Sequence, residues 1–269
     1  MRPPFEIGEE TLRCIGRIER LLGRYEGLQS PRPLPQLRRS NRIRTIRDSL
    51  AIEGNTLTLE QATTVLEGRR VTAPARDILE LQNASAAYEA LPEWNPYRLG
   101  DILRAHRILM KGLIPSAGRW RAGGVGIAKG DQIAHVAPPA DRVNGLMKDL
   151  LKFGRDESTP VLVRAAVVHY EIEFIHPFDD GNGRIGRLWH TLMLYRYHPV
   201  FEFVPVESLI REHQSDYYAV LGTCDRAGNS TAFVEFGAAI VEEALKRFLQ
   251  NLRAEPTTPS HRIEIAARH

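Results

Sequence analysis

At 269 residues, 43% of them apolar and 26% charged, the chain has the makeup of a globular protein large enough to bury a sizeable core in one large or two small domains. A formal net charge of +3 is too small to argue for nucleic acid or an anionic membrane as partner, and the 7% of aromatic residues do not alternate with basic ones as in a single-strand binder. Cys14 and Cys224 form neither a metal-ligand spacing nor a disulfide framework, no segment reaches the roughly 18 apolar residues of a membrane span, and the start MRPPFEIGEE lacks a signal peptide's apolar run, so a cytoplasmic location is expected.

Helical periodicity dominates, and the expected fold class is mainly α. A first helix is predicted over about 8–27, ended by the proline-rich stretch 30–35. Over 41–54, Ile43, Ile46, Leu50 and Glu53 fall at steps of three, four and three, which places Glu53 on the inward stripe of a helix. It also sits at the C-terminal end, before a capping Gly54, where the helix dipole disfavours an anion. An inward carboxylate needs a cation partner; taken alone, the preferred reading is a local ion pair or an end residue turned to water. Arg38, Arg39, Arg42, Arg44 and Arg47 form a basic run there, read as a solvated helix face rather than a nucleic-acid contact.

The proline-flanked stretch 91–96 marks a second boundary, followed by a stripe of Leu99, Ile102, Leu103, His106, Leu109 and Met110. The glycine-rich stretch 118–139 contains two short strand candidates, Val125-Gly126-Ile127 and Ile133-Ala134-His135-Val136, and is read as a β-hairpin flap. Leu162, Ala165, Ala166, His169 and Ile172 form the next helical stripe, and Ile240, Val241, Ala244, Leu245, Phe248 and Leu249 the last. The expected organisation is an N-terminal helical region over 1–95, a core over 96–252 and a disordered tail over 253–269.

The chemistry concentrates in 176–187. Gly181-Asn182-Gly183 can turn tightly and expose consecutive backbone N–H groups, and Ile185, Leu188, Trp189, Leu192 and Met193 continue as a helix whose N-terminus is a natural anion site. Arg184 and Arg187 share one face of its first turn, where each opposes the dipole at a cost of about 0.3–1 kcal/mol unless a polyanion such as a triphosphate neutralises them. Asp180 stands beside the nest and suits Mg²⁺ bridging phosphates, and His176 suits a general base.

These residues fit every fixed position of H-x-F-x-D/E-G-N-G-R-x-x-R, and the chain resembles the Fic family over roughly 40–250. Stretches 118–121 and 136–139 resemble the family's flap, and 215–221 its segment after the motif helix. The resemblance implies a helical bundle with a small β-hairpin flap, 96–252 being the catalytic core. It further implies a protein adenylyltransferase that moves AMP from ATP, with Mg²⁺, onto a Ser, Thr or Tyr hydroxyl of a target protein and of itself. His176 would be the base and Asp180 the metal ligand. Gly181, Asn182, Gly183, Arg184 and Arg187 would hold the phosphates, with Ile185 and Gly186 in the same cofactor-binding segment. Phe178 would anchor the loop, and Tyr217 would lie near the adenosine. Val125, Gly126, Ile127 and Ala128 would pair with an extended target segment, a form of strand addition. Ser49-x-x-x-Glu53-Gly54 also matches the family's inhibitory motif, S/T-x-x-x-E-G/N, whose Glu pairs with the second motif arginine, here Arg187. In some relatives that Glu also assists removal of AMP; the sequence leaves this, and a homodimer, open.

Two other classes compete with this reading. A metal-dependent phosphohydrolase would use His169, His176, Asp179 and Asp180 but leaves both arginines without a task and has no HExxH or second His-rich cluster. A catalytically silent ATP-binding interaction module is the other.

Overall fold

The computed structural model of the protein describes residues 2–28, 35–124, 126–129 and 132–254, with backbone alone for 126–129, 132–136 and 253–254. In chain order the helices are α1 (Glu9–Glu26), α2 (Pro35–Ile52), α3 (Leu59–Leu66), α4 (Ala75–Glu89) and α5 (Leu99–Leu109), then strands β1 (Gly126–Lys129) and β2 (Gln132–Val136). There follow α6 (Ala140–Gly154), α7 (Val161–Ile175), α8 (Asn182–Tyr197), α9 (Val206–Glu212), α10 (Gln214–Ala227) and α11 (Thr231–Ala254). The proline-rich break before α2 and the tail beyond α11 lie outside the described residues, as does Val125 of the predicted flap.

The core centres on α7 and α8, the most extensively packed helix pair. Both bury residues all the way round, as helices enclosed by others do: Ala165, Val167, Val168 and Ile172 on α7, Ile185, Leu188, Trp189 and Leu192 on α8. Trp189 is fixed by a hydrogen bond from its Nε1 to the Pro96 carbonyl (2.9 Å) and by Trp94, stacked 6.3 Å away. Around this pair, α1 packs on α11, while α2 packs on α9 and α4. One continuous apolar core includes Ile18 of α1, Ile46 of α2 and Leu188 of α8, and so crosses the predicted boundary near residue 95 uninterrupted.

Strands β1 and β2 pair antiparallel, Gly126 opposite Val136 and Lys129 opposite Gln132, with a register irregularity between Ile127 and Ala128. Helix α6 was not among the predicted elements, although Val143, Met147, Leu150 and Leu151 carry the required spacing.

Helix α2 ends one residue before Glu53. The Gly54 N–H donates to Ala51 O (3.1 Å) and the Asn55 N–H to Leu50 O (3.2 Å), a Schellman motif whose left-handed position Gly54 fills at φ 90°. Ile52, not Glu53, continues the buried stripe, and the Glu53 side chain keeps 32% of its exposure. The inward placement predicted for Glu53 is therefore corrected: it sits on the helix end, facing the neighbouring helix terminus rather than the core.

Two glycines give opposite expectations. Gly118 has φ 78°, and a Cβ there would meet Arg107 Cβ at 2.7 Å and Leu103 O at 2.9 Å. Gly16 is exposed in mid-α1 with nothing within 4 Å of such a Cβ. In urea unfolding, Gly118→Ala is expected to lower stability by about 1–3 kcal/mol and Gly16→Ala to raise it by about 0.5–1 kcal/mol.

Candidate active site

Residues 176–181 form a loop between the two central helices, pinned from below. His176 ends α7 at φ 48°, ψ 60°, the one non-glycine residue with positive φ among the described residues. Phe178 is fully buried and stacks on His106 at 3.6 Å, while the Asn182 side chain brackets Phe178, accepting from its N–H and donating to its carbonyl, each at 2.9 Å. His106 Nδ1 accepts from the Gly118 N–H (2.9 Å), so Nε2 carries the proton and donates to Asp180 O (2.8 Å). Burial holds this imidazole neutral, with its pKa pushed down to about 4.

Arg121, 2% exposed, completes the frame. Its guanidinium donates to His176 O (2.7 Å), Gly123 O (2.7 Å), Ile175 O (3.2 Å) and Pro138 O, joining the loop to both roots of the hairpin. Neither His106 nor Arg121 was assigned a task from sequence, because their partners are backbone carbonyls distant along the chain. His176 Nδ1 lies 3.4 Å from the Glu173 carbonyl. A carbonyl can only accept, which favours the tautomer with its proton on Nδ1 and its basic lone pair on Nε2.

The turn into α8 requires its glycines. Gly181 is the N-cap at φ 86°, and a Cβ there would meet Met110 Sδ at 2.7 Å. The two motif arginines then part. Arg184 donates to Glu80 Oε1 of α4 (3.1 Å) and to Asp180 Oδ1 (2.8 Å), which also accepts from the Gly181 N–H; Arg76 approaches Asp180 Oδ2 at 3.4 Å. The Arg187 side chain has no solvent access and turns to the end of α2. Its Nη2 donates to Glu53 Oε1 (2.7 Å) and Ser49 O (3.0 Å), and its Nε to Ser49 Oγ (3.1 Å). Its buried Nη1 has no hydrogen-bond partner among the described residues. Glu53 Oε1 also lies where a Cβ on Gly183 would collide with it, so its carboxylate covers the glycine nest.

Behind the arginines is a second buried layer. Tyr217 is 1% exposed; its hydroxyl donates to Glu173 Oε1 (3.0 Å) and lies 3.1 Å from His169 Nε2. The helical phase of α10 turns Tyr217 inward and leaves Tyr218 on the surface, 41% exposed, with its hydroxyl donating to Ile52 O (3.2 Å). The same layer occupies His169, a ligand in the phosphohydrolase reading, and burial pushes its pKa well down. Burial raises Glu171 and Glu173 to about 7. Of the predicted flap residues, Gly126, Ile127 and Ala128 lie on β1. Among the described residues no cluster of three or more His, Cys, Asp or Glu could hold a metal ion, and no helix is long and apolar enough to cross a membrane.

Comparison with known proteins gives this arrangement its family. Residues 96–194 match the Fic/DOC family. A crystal structure of a Fic family protein from Desulfovibrio desulfuricans superposes with TM-score 0.90 at 46% identity, covering 96% of this chain and 79% of that one. The chain belongs to the Fic family. Among curated Fic relatives, the protein adenylyltransferase fic-1 of Caenorhabditis briggsae is 30% identical over 95% of this chain and 54% of its own length. The Fic-1 structure from Caenorhabditis elegans has TM-score 0.74 at 26% identity, with 90% of this chain and 73% of that one covered. The chain thus spans about half the length of the curated Fic relatives it matches.

The pinned loop carries a pH signature. His106 has a folded pKa near 4 against an ordinary 6.5, so the unfolded chain binds the extra proton between these values. Its contribution is complete above about 6.5 and is lost as pH falls toward 4. Glu171 and Glu173 act oppositely, stabilising below about 4.5 and losing that contribution as pH rises through 7. Comparing wild type with His106→Gln cancels the glutamates: the destabilisation should be largest at pH 7–8 and shrink below 6.5 by up to about 1.4 kcal/mol per unit in urea unfolding.

Proposed function

We propose that this Fic protein transfers AMP from ATP to a hydroxyl of a protein side chain, its own included, and that Glu53 keeps the activity low. One observation carries the reading: Glu53 lies both on the buried Arg187 and over Gly183, so a carboxylate holds the place a terminal phosphate would take.

The N–H groups at the start of α8 are an anion site, because the first turn of a helix has unpaired donors and a positive dipole end. With Glu53 withdrawn, Arg187 would face the γ-phosphate and Arg184 the phosphates nearer the nest. The target hydroxyl oxygen attacks the α-phosphorus; its proton passes to Nε2 of His176, and the bond to the departing pyrophosphate oxygen breaks. Positioning and charge neutralisation supply most of the acceleration. Asp180 fits Mg²⁺, being 40% exposed at the edge of the nest, where Arg184, Arg76 and the Gly181 N–H meet its carboxylate. The ion, when bound, would neutralise charge on the phosphates. Strand β1 offers backbone edge groups to an extended target segment, with Arg121 fixing the hairpin roots relative to His176. The cytoplasm is the proposed site of action.

With α-labelled ATP, Glu53→Gly is expected to raise self-labelling about tenfold or more, a shift of roughly 1.4 kcal/mol or greater in the accessibility of the phosphate site. Adding His176→Ala should cut that labelling by on the order of 10²–10⁴. An unchanged rate in the Glu53 variant would defeat the inhibitory reading. Intact mass spectrometry after incubation with each nucleoside triphosphate should show an adduct of AMP mass with ATP; ATP binding without any adduct would instead support a silent module.

A further inference from the structure

The basic run of α2 divides in the fold. Arg42 pairs with Glu202 (2.8 Å), Arg39 with Glu67 (3.2 Å), and Arg38 lies 4.7 Å over the Phe203 ring. Arg44 and Arg47 instead line a cleft of about 410 Å³ between α2, α9 and α11, to which α9 contributes Arg211 and α11 contributes Arg247. This volume lies within the range of small-molecule sites.

Four guanidiniums from three helices share the cleft with two carboxylates, Asp48 and Glu212, and a third, Glu243 of α11, reaches Arg247 from outside the lining. Asp48 takes Arg47 (3.0 Å) and the Ser208 hydroxyl (2.5 Å), while Arg247 is held by both Glu212 (2.7 Å) and Glu243 (2.8 Å). Arg211 donates to the neutral Gln214. Arg44 makes no hydrogen bond or ion pair with a described residue, and the buried Arg47 Nε has no acceptor among the described residues. The excess of positive charge in this concave site therefore lies on Arg44 and Arg211, neither of which is paired with a carboxylate among the described residues, beside the half-satisfied Arg47.

We propose that this cleft binds a small phosphate-bearing anion. A phosphate group has charge and oxygens enough to bridge several guanidiniums from different helices, whereas each carboxylate already present pairs with a single guanidinium. The ligand would tie α2 to α9 and α11, favouring the seated position of the helix that ends in Ser49 and Glu53. That consequence rests on the inhibitory reading; binding itself does not, so the two can fail separately.

The test is isothermal titration of Mg²⁺-free pyrophosphate and AMP into the full chain carrying Arg184→Ala, which weakens the α8 site. One saturable site is expected, its affinity falling with added salt. Adding Arg44→Glu should weaken it at least about tenfold, and Arg44→Lys should retain most of it. Arg44 has no described partner, so these variants should melt like the parent, and melting curves verify that. No saturable binding by the Arg184→Ala protein, or equal binding with and without Arg44→Glu, would overturn the proposal. So would a short oligonucleotide that outcompetes both probes about a hundredfold, which would assign the cleft to nucleic acid.

Discussion

A guanidinium with no solvent access must be neutralised inside the protein, and Arg187 sets that requirement for the whole fold. Leaving such a charge unpaired costs several kcal/mol. All the acceptors it has among the described residues come from one helix end: the Ser49 carbonyl, the Ser49 hydroxyl and the Glu53 carboxylate. For them to converge, α2 must lie flush and terminate on time. Ile43, Ile46, Leu50 and Ile52 seat it, Asn41 donates to Phe203 O (3.0 Å), and the Schellman turn at Gly54 stops it beside the nest. Glu207 supports the far side, accepting from Tyr88 of α4 (2.8 Å) and Thr191 of α8 (2.5 Å). Docking of the N-terminal helices and neutralisation of the site are one energetic problem.

The loop that holds His176 is rigid for a complementary reason. A left-handed conformation at a non-glycine residue costs about 1–3 kcal/mol and persists only where its surroundings determine it. Here Arg121 holds the His176 carbonyl, Asn182 closes both polar groups of Phe178, and His106 holds the Asp180 carbonyl. A pre-formed base and nest suit chemistry that depends on positioning. What can vary is the phosphate end of the site, since Glu53 keeps a third of its exposure while its partner is sealed. The end of α2 is seated over a loop whose own conformation is fixed independently of it.

The sequence by itself determined which residues gather at the candidate site, because they are neighbours along the chain. His176, Asp180, the glycine turn and both arginines lie within twelve residues, and helix geometry alone places them around one helix start. Periodicity pointed to the helical class, and the proline stretch and Gly54 to the ends of the first helix and of α2, just as directly. Tertiary structure decided which charge meets which. Arg184 and Arg187 are alike in spacing, yet one turns to Glu80 on α4 and the other to the end of α2. It also decided that Tyr217 is buried and Tyr218 exposed, and that the arginine run of α2 serves two surfaces. His106 and Arg121 became visible as supports only once distant carbonyls came within hydrogen-bond reach. Spacing fixes which residues share a helix face; long side chains of one charge type have several partners within reach, and only the packing of other helices selects among them.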